Sequence, residues 1–302
     1  MSKDRQYFGG IEGGGTWFRC LIANSPDDIY KEETFRTLES EETLNKVAAF
    51  FLTAMDEVDI KAIGIGCFGP LELSEASPDF GMIEFSKMDS WTGINLVKEF
   101  TERIGVPIYI DTDVNAAALG EYLWGAGKGL DVFVYLTIGT GIGGGAFVNG
   151  KLLHGIQHPE MGHTMIAHDL ELDPFKGACE FHGDCFEGLA SGTAIYKRWG
   201  VRAENLPADH QAWELEAHYL AVGVSNIFLT MAAQRVILGG SVMKAPGLID
   251  KVREKIGEVA KGYILKENNL DDLGNLITLP GLGEYSGRFG SVALAIIGSK
   301  EE

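Results

Sequence analysis

Tyr7-Phe8-Gly9-Gly10-Ile11-Glu12-Gly13-Gly14-Gly15-Thr16-Trp17-Phe18-Arg19-Cys20-Leu21-Ile22-Ala23-Asn24 is the stretch on which the fold turns. An apolar lead-in, a run of breakers from Gly13 to Thr16 and a second apolar run read as two strands joined by a glycine turn, a hairpin. The grammar recurs further on. Tyr135-Leu136-Thr137-Ile138 leads into Gly139-Thr140-Gly141-Ile142-Gly143-Gly144-Gly145, then Ala146-Phe147-Val148 and an Asn149-Gly150 turn. Two such hairpins suggest two related halves, although a chance recurrence of strand and turn grammar explains so short a match nearly as well.

Working outward, Leu44 to Met55 has helical periodicity, and Ala62 to Ile65 is a short buried strand ending in Gly66, Gly69 and Pro70. Val106 to Ile110 reads as a strand, followed by Asp111-Thr112-Asp113 and the helix-forming run Ala116 to Glu121. Past a loop-rich segment, a mostly apolar helix is expected from about His210 to Met231. The strand Val236 to Leu238, a helix after Pro246 and a last helix near Gly290 to Ile297 complete the pattern. Alternating helices and strands imply an α/β layer architecture. With no long linker, a domain boundary must fall at a compact crossover, placed near Asn115.

At 302 residues with 45% hydrophobic content, the chain can build two cores. Its net charge of -18 repels phosphate backbones and anionic lipid, so neither nucleic acid nor a membrane is the expected partner. A small neutral substrate fits better. Met1 to Tyr7 is polar and mixed in charge, and no apolar run reaches roughly 18 residues, so a cytoplasmic location is expected. Of the four cysteines, Cys20 and Cys67 sit singly in apolar strands, whereas Cys179 and Cys185 lie among histidines. That distribution reads as two core thiols and a metal site, not a disulfide framework.

Glycine turns let backbone N–H groups approach an anion, so both loops are candidates for holding phosphates; either taken alone reads equally as a tight turn. Gly139-x-Gly141-x-x-Gly144 spells the dinucleotide fingerprint, but a strand follows it where that fingerprint requires a helix. The Walker pattern fails as well, since Gly127-Lys128 lacks the upstream glycine. Thr16 and Thr140 could add hydroxyl donors, and Gly239-Gly240 could admit a flat adenosine, though a bare strand-to-helix turn accounts for it as well. Asp113, outside the carboxyl end of a strand, stands where a catalytic carboxylate is expected in an open α/β sheet, and reads equally as a helix N-cap. Glu12 could hold a water of a Mg²⁺ shell or simply face solvent.

His163, Cys179, His182 and Cys185 form His-x15-Cys-x2-His-x2-Cys, four ligands spaced to close one tetrahedral zinc site with no position left for water. Such a site is structural. Glu160 and Glu187, beside His163 and Cys185, could accept from ligand hydroxyls or read equally as solvated loop carboxylates, and a metal-bound His163 could offer its second nitrogen. His154, His168, His210 and His218 have no such company in the sequence and read as ordinary loop or helix residues.

Taken together, Gly10 to Thr16, Asp111 to Glu121, Ile138 to Gly143, His158 to His163 and Cys179 to Gly192 resemble the ROK family of sugar kinases, most of all its bacterial fructokinase branch. The resemblance runs from about Gly9 to Ala295. It implies an actin-like (ribonuclease-H-like) two-domain fold with an interdomain cleft, divided as 1–115 with a returning helix at about 288–302, and 116–287 containing the zinc segment 158–192. It implies transfer of the terminal phosphoryl group of MgATP to a hexose, most simply fructose at O6, with Asp113 as general base. Phosphate contacts are implied for Gly13, Gly14, Gly15, Thr16, Thr140, Gly141, Gly239 and Gly240. Sugar contacts are implied for Thr112, Asp113, Glu160, His163 and Glu187, Mg²⁺ association for Glu12 and Asp113, structural Zn²⁺ on the four ligands above, and a homodimer. Three positions depart from the family pattern: Glu12 where Asp is common, Trp17 where Lys is usual, and Thr112 where glucose-selective members carry Asn. Sugar-responsive repressors of the same family carry an added basic helix-turn-helix, whereas here the first glycine strand begins within ten residues of an acidic chain. A zinc hydrolase would need an open coordination position.

Overall fold

The computed structural model describes residues 5–261, 263 and 273–301. The chain forms two compact units, one built from Met1–Lys128, Leu152–His158 and Tyr285–Glu302, the other from Gly129–Lys151 and Pro159–Glu284.

In the first unit, β1 (Gln6–Gly13), β2 (Trp17–Ser25), β3 (Asp28–Arg36), β4 (Asp59–Cys67) and β5 (Ile108–Thr112) form a sheet of order β3-β2-β1-β4-β5. The expected hairpin is present, with Gly9 opposite Ile22 and Gly13 opposite Phe18, while β4 and β5 run parallel to β1. Because side chains alternate along a strand, Gly9 and Gly10 look to opposite faces. A Cβ on Gly9 would press Phe51 of α1 (Ser40–Met55), whereas one on Gly10 would meet Val292 and the carbonyl of Arg288 in the C-terminal helix Ser286–Glu301. The α1 face is apolar: Ile11, Phe18, Ile22, Phe51, Ile63 and Phe100 of α2 (Leu96–Ile104) are buried together.

The other face is a close backbone approach. A Cβ on Gly64 would lie 1.9 Å from the Ser291 carbonyl oxygen. The Ser291 hydroxyl donates to the Ile11 carbonyl at 2.9 Å and accepts from Gly66 N–H at 3.1 Å, so one side chain of the C-terminal helix ties β1 to β4. The same helix crosses α3 (Asp113–Trp124) with Gly290 against the Ala116 carbonyl and Gly120 against that of Ser286. This crossing corrects the boundary expected near Asn115. All of α3 stays with the first unit, and the chain leaves that unit at Lys128.

In the second unit, β6 (Val132–Ile138), β7 (Ile142–Val148), β8 (Lys151–Leu152), β9 (Arg235–Gly239) and β10 (Ile277–Thr278) follow the order β10-β9-β6-β7-β8. β6 and β7 are antiparallel and joined by the second glycine loop, and β9 and β10 run parallel to β6. Reading β6 for β1, this is the strand order of the first sheet, which favours related halves over chance. Helices α4 (Phe186–Ala190), α5 (Gly192–Trp199), α6 (Ala212–Met231) and α7 (Leu248–Ala260) complete the unit, α6 burying Trp213, Leu220, Val224 and Phe228. Among the described residues no helix is long and apolar enough to cross a membrane.

Candidate active site and metal centre

The turn from β5 into α3 carries Asp113. Thr112 is the N-cap of α3: its backbone is extended and its side-chain oxygen accepts from Asn115 N–H at 3.2 Å. Asp113 is therefore the first helical residue, and its Oδ1 accepts from Val114 N–H at 2.9 Å. The expected N-cap role of Asp113 thus belongs to Thr112. A Cβ on Gly66, at the end of β4, would press Ala116 and approach the Asp113 backbone, so this glycine lets the turn sit against the sheet.

Asp111 is 4% exposed, and each of its oxygens is engaged. Oδ1 accepts from Thr112 N–H at 2.7 Å and from Asn115 Nδ2 at 2.8 Å, while Oδ2 lies 2.9 Å from His154 Nε2. The hydrogen bond to Asp111 raises the His154 pKa above its usual value, against the cost of partial burial. This corrects the reading of His154 as an ordinary loop residue. His168 is corrected likewise, its buried ring lying 2.9 Å from Asp184 Oδ2 and 3.0 Å from the Asp173 carbonyl. Both pairings join residues distant in sequence.

Glu12, near the end of β1, points at two guanidinium groups. Oε1 accepts from Arg19 at 3.0 Å, and Oε2, buried without a hydrogen-bond partner, lies 3.9 Å from Arg288 Nε. Burial raises its pKa and the two arginines oppose the rise. In the adjoining loop Gly13 is held by packing, since a Cβ would meet Cys67 Sγ and the Phe18 ring, and Gly14 N–H closes the turn on the Trp17 carbonyl at 2.9 Å. A Cβ on Gly15 would meet nothing within 4 Å, and Thr16 and Trp17 beside it are exposed.

The second glycine loop is built upon from two sides. A Cβ on Gly141 would strike Glu187 Oε2, which accepts from Ile142 N–H at 3.0 Å, so α4 brings Glu187 onto the loop. A Cβ on Gly144 would crowd Met161, and one on Gly162 the Ile142 carbonyl, which seats the turn bearing Glu160 and His163 on β7. From the other side the start of α5 docks, with Gly192 N–H on the Gly139 carbonyl at 2.7 Å and the Thr193 hydroxyl on that of Thr140 at 2.7 Å. Beside this contact lies a cavity of about 570 Å³ lined by Gly139, Thr140, Thr193, Tyr196, Trp213 and Ser241, with Arg202 and Lys244 also on its wall. The walls supplied by Thr193, Tyr196, Arg202, Trp213 and Lys244 come from helices and short turns with no motif of their own, so the sequence reading did not find them. Gly240, at φ +93°, would drive a Cβ into the Ile138 backbone, and Gly239 into the Tyr135 hydroxyl. These two glycines serve the packing of β9 on β6, and Ser241 after them reaches the cavity.

The four expected metal ligands come together. Cys179 and Gly183 exchange backbone hydrogen bonds of 3.1 and 3.0 Å, forming a tight knuckle whose left-handed residue is Gly183, at φ +68°. The ligating atoms of His163, Cys179, His182 and Cys185 all lie within 4.8 Å of one another. Cys179 Sγ is 3.6 Å from His163 Nδ1 and 3.8 Å from His182 Nδ1, and Cys185 Sγ is 3.7 Å from His163 Nδ1. A tetrahedral ion with metal–sulfur and metal–nitrogen bonds of ordinary zinc length separates sulfur from nitrogen by about 3.6 Å, so the cluster has the edges of such a site. Burial pushes the Cys185 thiol up to about 11. A dication bound by these four side chains would offset that cost by neutralising the thiolate.

The chain is similar to known proteins over nearly its whole length. A fructokinase of Zymomonas mobilis is 42% identical over 301 residues, covering 98% of each chain, and a fructokinase of Lactococcus lactis is 39% identical over 283 residues, covering 89% of this chain and 95% of the other. The crystal structure of a ROK hexokinase from Thermus thermophilus superposes with a TM-score of 0.80 at 24% identity, over 98% of this chain and all of that one. Since the ROK family pattern covers residues 8–297, nearly the whole length, the chain belongs to the ROK family.

Proposed function

We propose that the protein transfers the terminal phosphoryl group of ATP to O6 of fructose. The observation that carries the reading is Asp113, an ionisable carboxylate presented at the head of α3 by a capped turn on a buried strand end. As the sugar oxygen bonds to phosphorus, the bond from phosphorus to the bridging oxygen breaks and ADP leaves. The hydroxyl proton passes to the Asp113 carboxylate, a contribution of typically about 10² to 10⁴ in rate.

Gly15 and Gly139 support the phosphate reading of the two loops. Neither needs a left-handed backbone, and a Cβ there would meet nothing closer than Ser241 Oγ, 4.0 Å from Gly139, so the fold itself makes no demand for glycine. An approaching anion would. Thr16 and Thr140 supply hydroxyls beside them, and the cavity with Tyr196, Trp213 and Ser241 suits the nucleoside. Thr112, Glu160, Glu187 and His163 are assigned to the sugar. With His163 Nδ1 facing the cysteines, Nε2 is the nitrogen left for a hydroxyl. Fructose is the acceptor suggested by relatives named fructokinase that match most of the chain.

Mg²⁺ bound with ATP would neutralise charge on the phosphates. The orphaned Oε2 of Glu12 fits a carboxylate kept for a water of that ion, since the paired arginines leave it little need of a direct bond. Zn²⁺ on His163, Cys179, His182 and Cys185 would hold the Pro159–Cys185 segment in shape, and the family resemblance adds a homodimer, which light scattering will test. Coupled ADP-release assays over fructose, mannose, glucose and N-acetylated hexoses test the function: highest turnover is expected with fructose, and none on any of them contradicts the reading.

A further inference from the structure

Leu152–His158 is a short excursion of the chain. The residues before and after it belong to the second unit, yet it is part of the first. It is fastened at both ends, His154 Nε2 to Asp111 Oδ2 at 2.9 Å and His158 Nε2 accepting from Leu71 N–H at 3.4 Å. Nothing in the fold of β5 itself requires a buried carboxylate at Asp111. A group with 4% exposure gives up hydration, and that loss is recovered only when all its acceptors are used. What Asp111 does with them is specific: it takes the backbone N–H of Thr112 and the side chain of Asn115, one residue before and two after Asp113. The turn that aims Asp113 is thus bracketed by bonds to a single carboxylate, and His154 is the ring that faces that carboxylate's second oxygen. The backbone of Leu152 provides a further hydrogen-bond partner for the ring.

We infer that His154 is a positioning residue for phosphoryl transfer, anchoring Asp111 so that the Thr112–Asp113 turn meets the sugar in productive register. It touches neither reacting atom. The inference rests on the kinase reading of Asp113 and adds to it a residue contributed by the excursion. Geometry of this kind is sensitive, since a misplacement of about 1 Å in a reacting group can cost on the order of 10²-fold in rate.

The test is a cycle of His154→Ala, Asp111→Asn and the double variant, with His154→Gln as the conservative replacement that keeps an N–H near the position of Nε2. For each, kcat, KM for fructose, KM for ATP and the melting curve are measured. His154→Ala is expected to lower kcat on the order of tenfold or more while KM for ATP moves less than about twofold, because the nucleotide cavity is lined wholly by the other unit. The double variant should be no slower than the slower single one, and His154→Gln should recover most of the loss. A His154→Ala kcat within about twofold of wild type, losses that multiply in the double variant, or a Gln variant as slow as Ala at an unchanged melting temperature would overturn the inference. A wild-type protein inactive on every hexose would instead remove the kinase reading beneath it, and the positioning role would fall with it.

Discussion

The two five-stranded sheets have one strand order and diverge in what is attached to it. In each, a central strand runs through a glycine loop into an antiparallel neighbour, and two further strands lie parallel on its other side. In the first unit the last parallel strand leads into α3, and its end carries a carboxylate cluster. In the second unit that strand is two residues long, and the elaboration moves to the hairpin side, where the Met161–His163 turn, α4 and α5 lean on the glycine hairpin. Related frameworks therefore carry different attachments: the proposed general base and one glycine loop in the first unit, and the His/Cys cluster, the other glycine loop and the cavity beside it in the second. This is the usual way in which function is grafted on a fold.

If these attachments act separately, lesions in each should give distinct readouts. The largest effect belongs to the first half: Asp113→Asn should reduce kcat by about 10² to 10⁴ with KM for ATP nearly unchanged, measured by coupled ADP release. Next, Cys185→Ser in the second half should lose metal and melting temperature together, since the metal site contributes folding energy; elemental analysis beside calorimetry checks this. Unchanged metal stoichiometry would contradict it.

Two glycines then sharpen the contrast between packing and binding. Gly240→Ala places a Cβ 2.3 Å from the Ile138 carbonyl at positive φ and should cost at least about 1–3 kcal/mol in denaturant unfolding. Gly15→Ala meets no neighbour, so its stability should change by no more than about 1 kcal/mol while KM for ATP rises.

A last prediction concerns Glu216, buried in α6, whose pKa is raised well above the usual carboxylate value by desolvation, Arg198 opposing. A raised folded pKa means that the stability present below the unfolded pKa, near 4.5, is lost as pH climbs toward the folded one. Glu216→Gln should accordingly match the wild type near pH 4.5 and exceed it increasingly toward neutral pH, as melting curves across that range will show.

Much of the framework was legible because its signals are local. Both hairpins follow from breakers between apolar runs, and the parallel strands β4 and β9 from short buried stretches. β3 was not, since its sequence Asp28 to Arg36 is mostly charged and exposed, and it is held as an edge strand by pairing with β2. The clustering of His163, Cys179, His182 and Cys185 was legible through spacing and chemistry. The Asp111–His154 pair could not, because 43 positions separate its members and only the excursion of Leu152–His158 brings them together. For Gly239 and Gly240, the sequence pattern was visible but the packing demand on it was not, because that depends on strands far away in the chain.

The claim beneath the comparison is that Asp113 accepts the proton of the attacking alcohol. A crystal structure of the wild-type protein with fructose and a non-hydrolysable ATP analogue measures it directly. The expected result is a carboxylate oxygen of Asp113 within hydrogen-bonding reach, about 2.6–3.2 Å, of fructose O6. An O6 bonded to a different residue, with Asp113 turned away from the sugar, would contradict it.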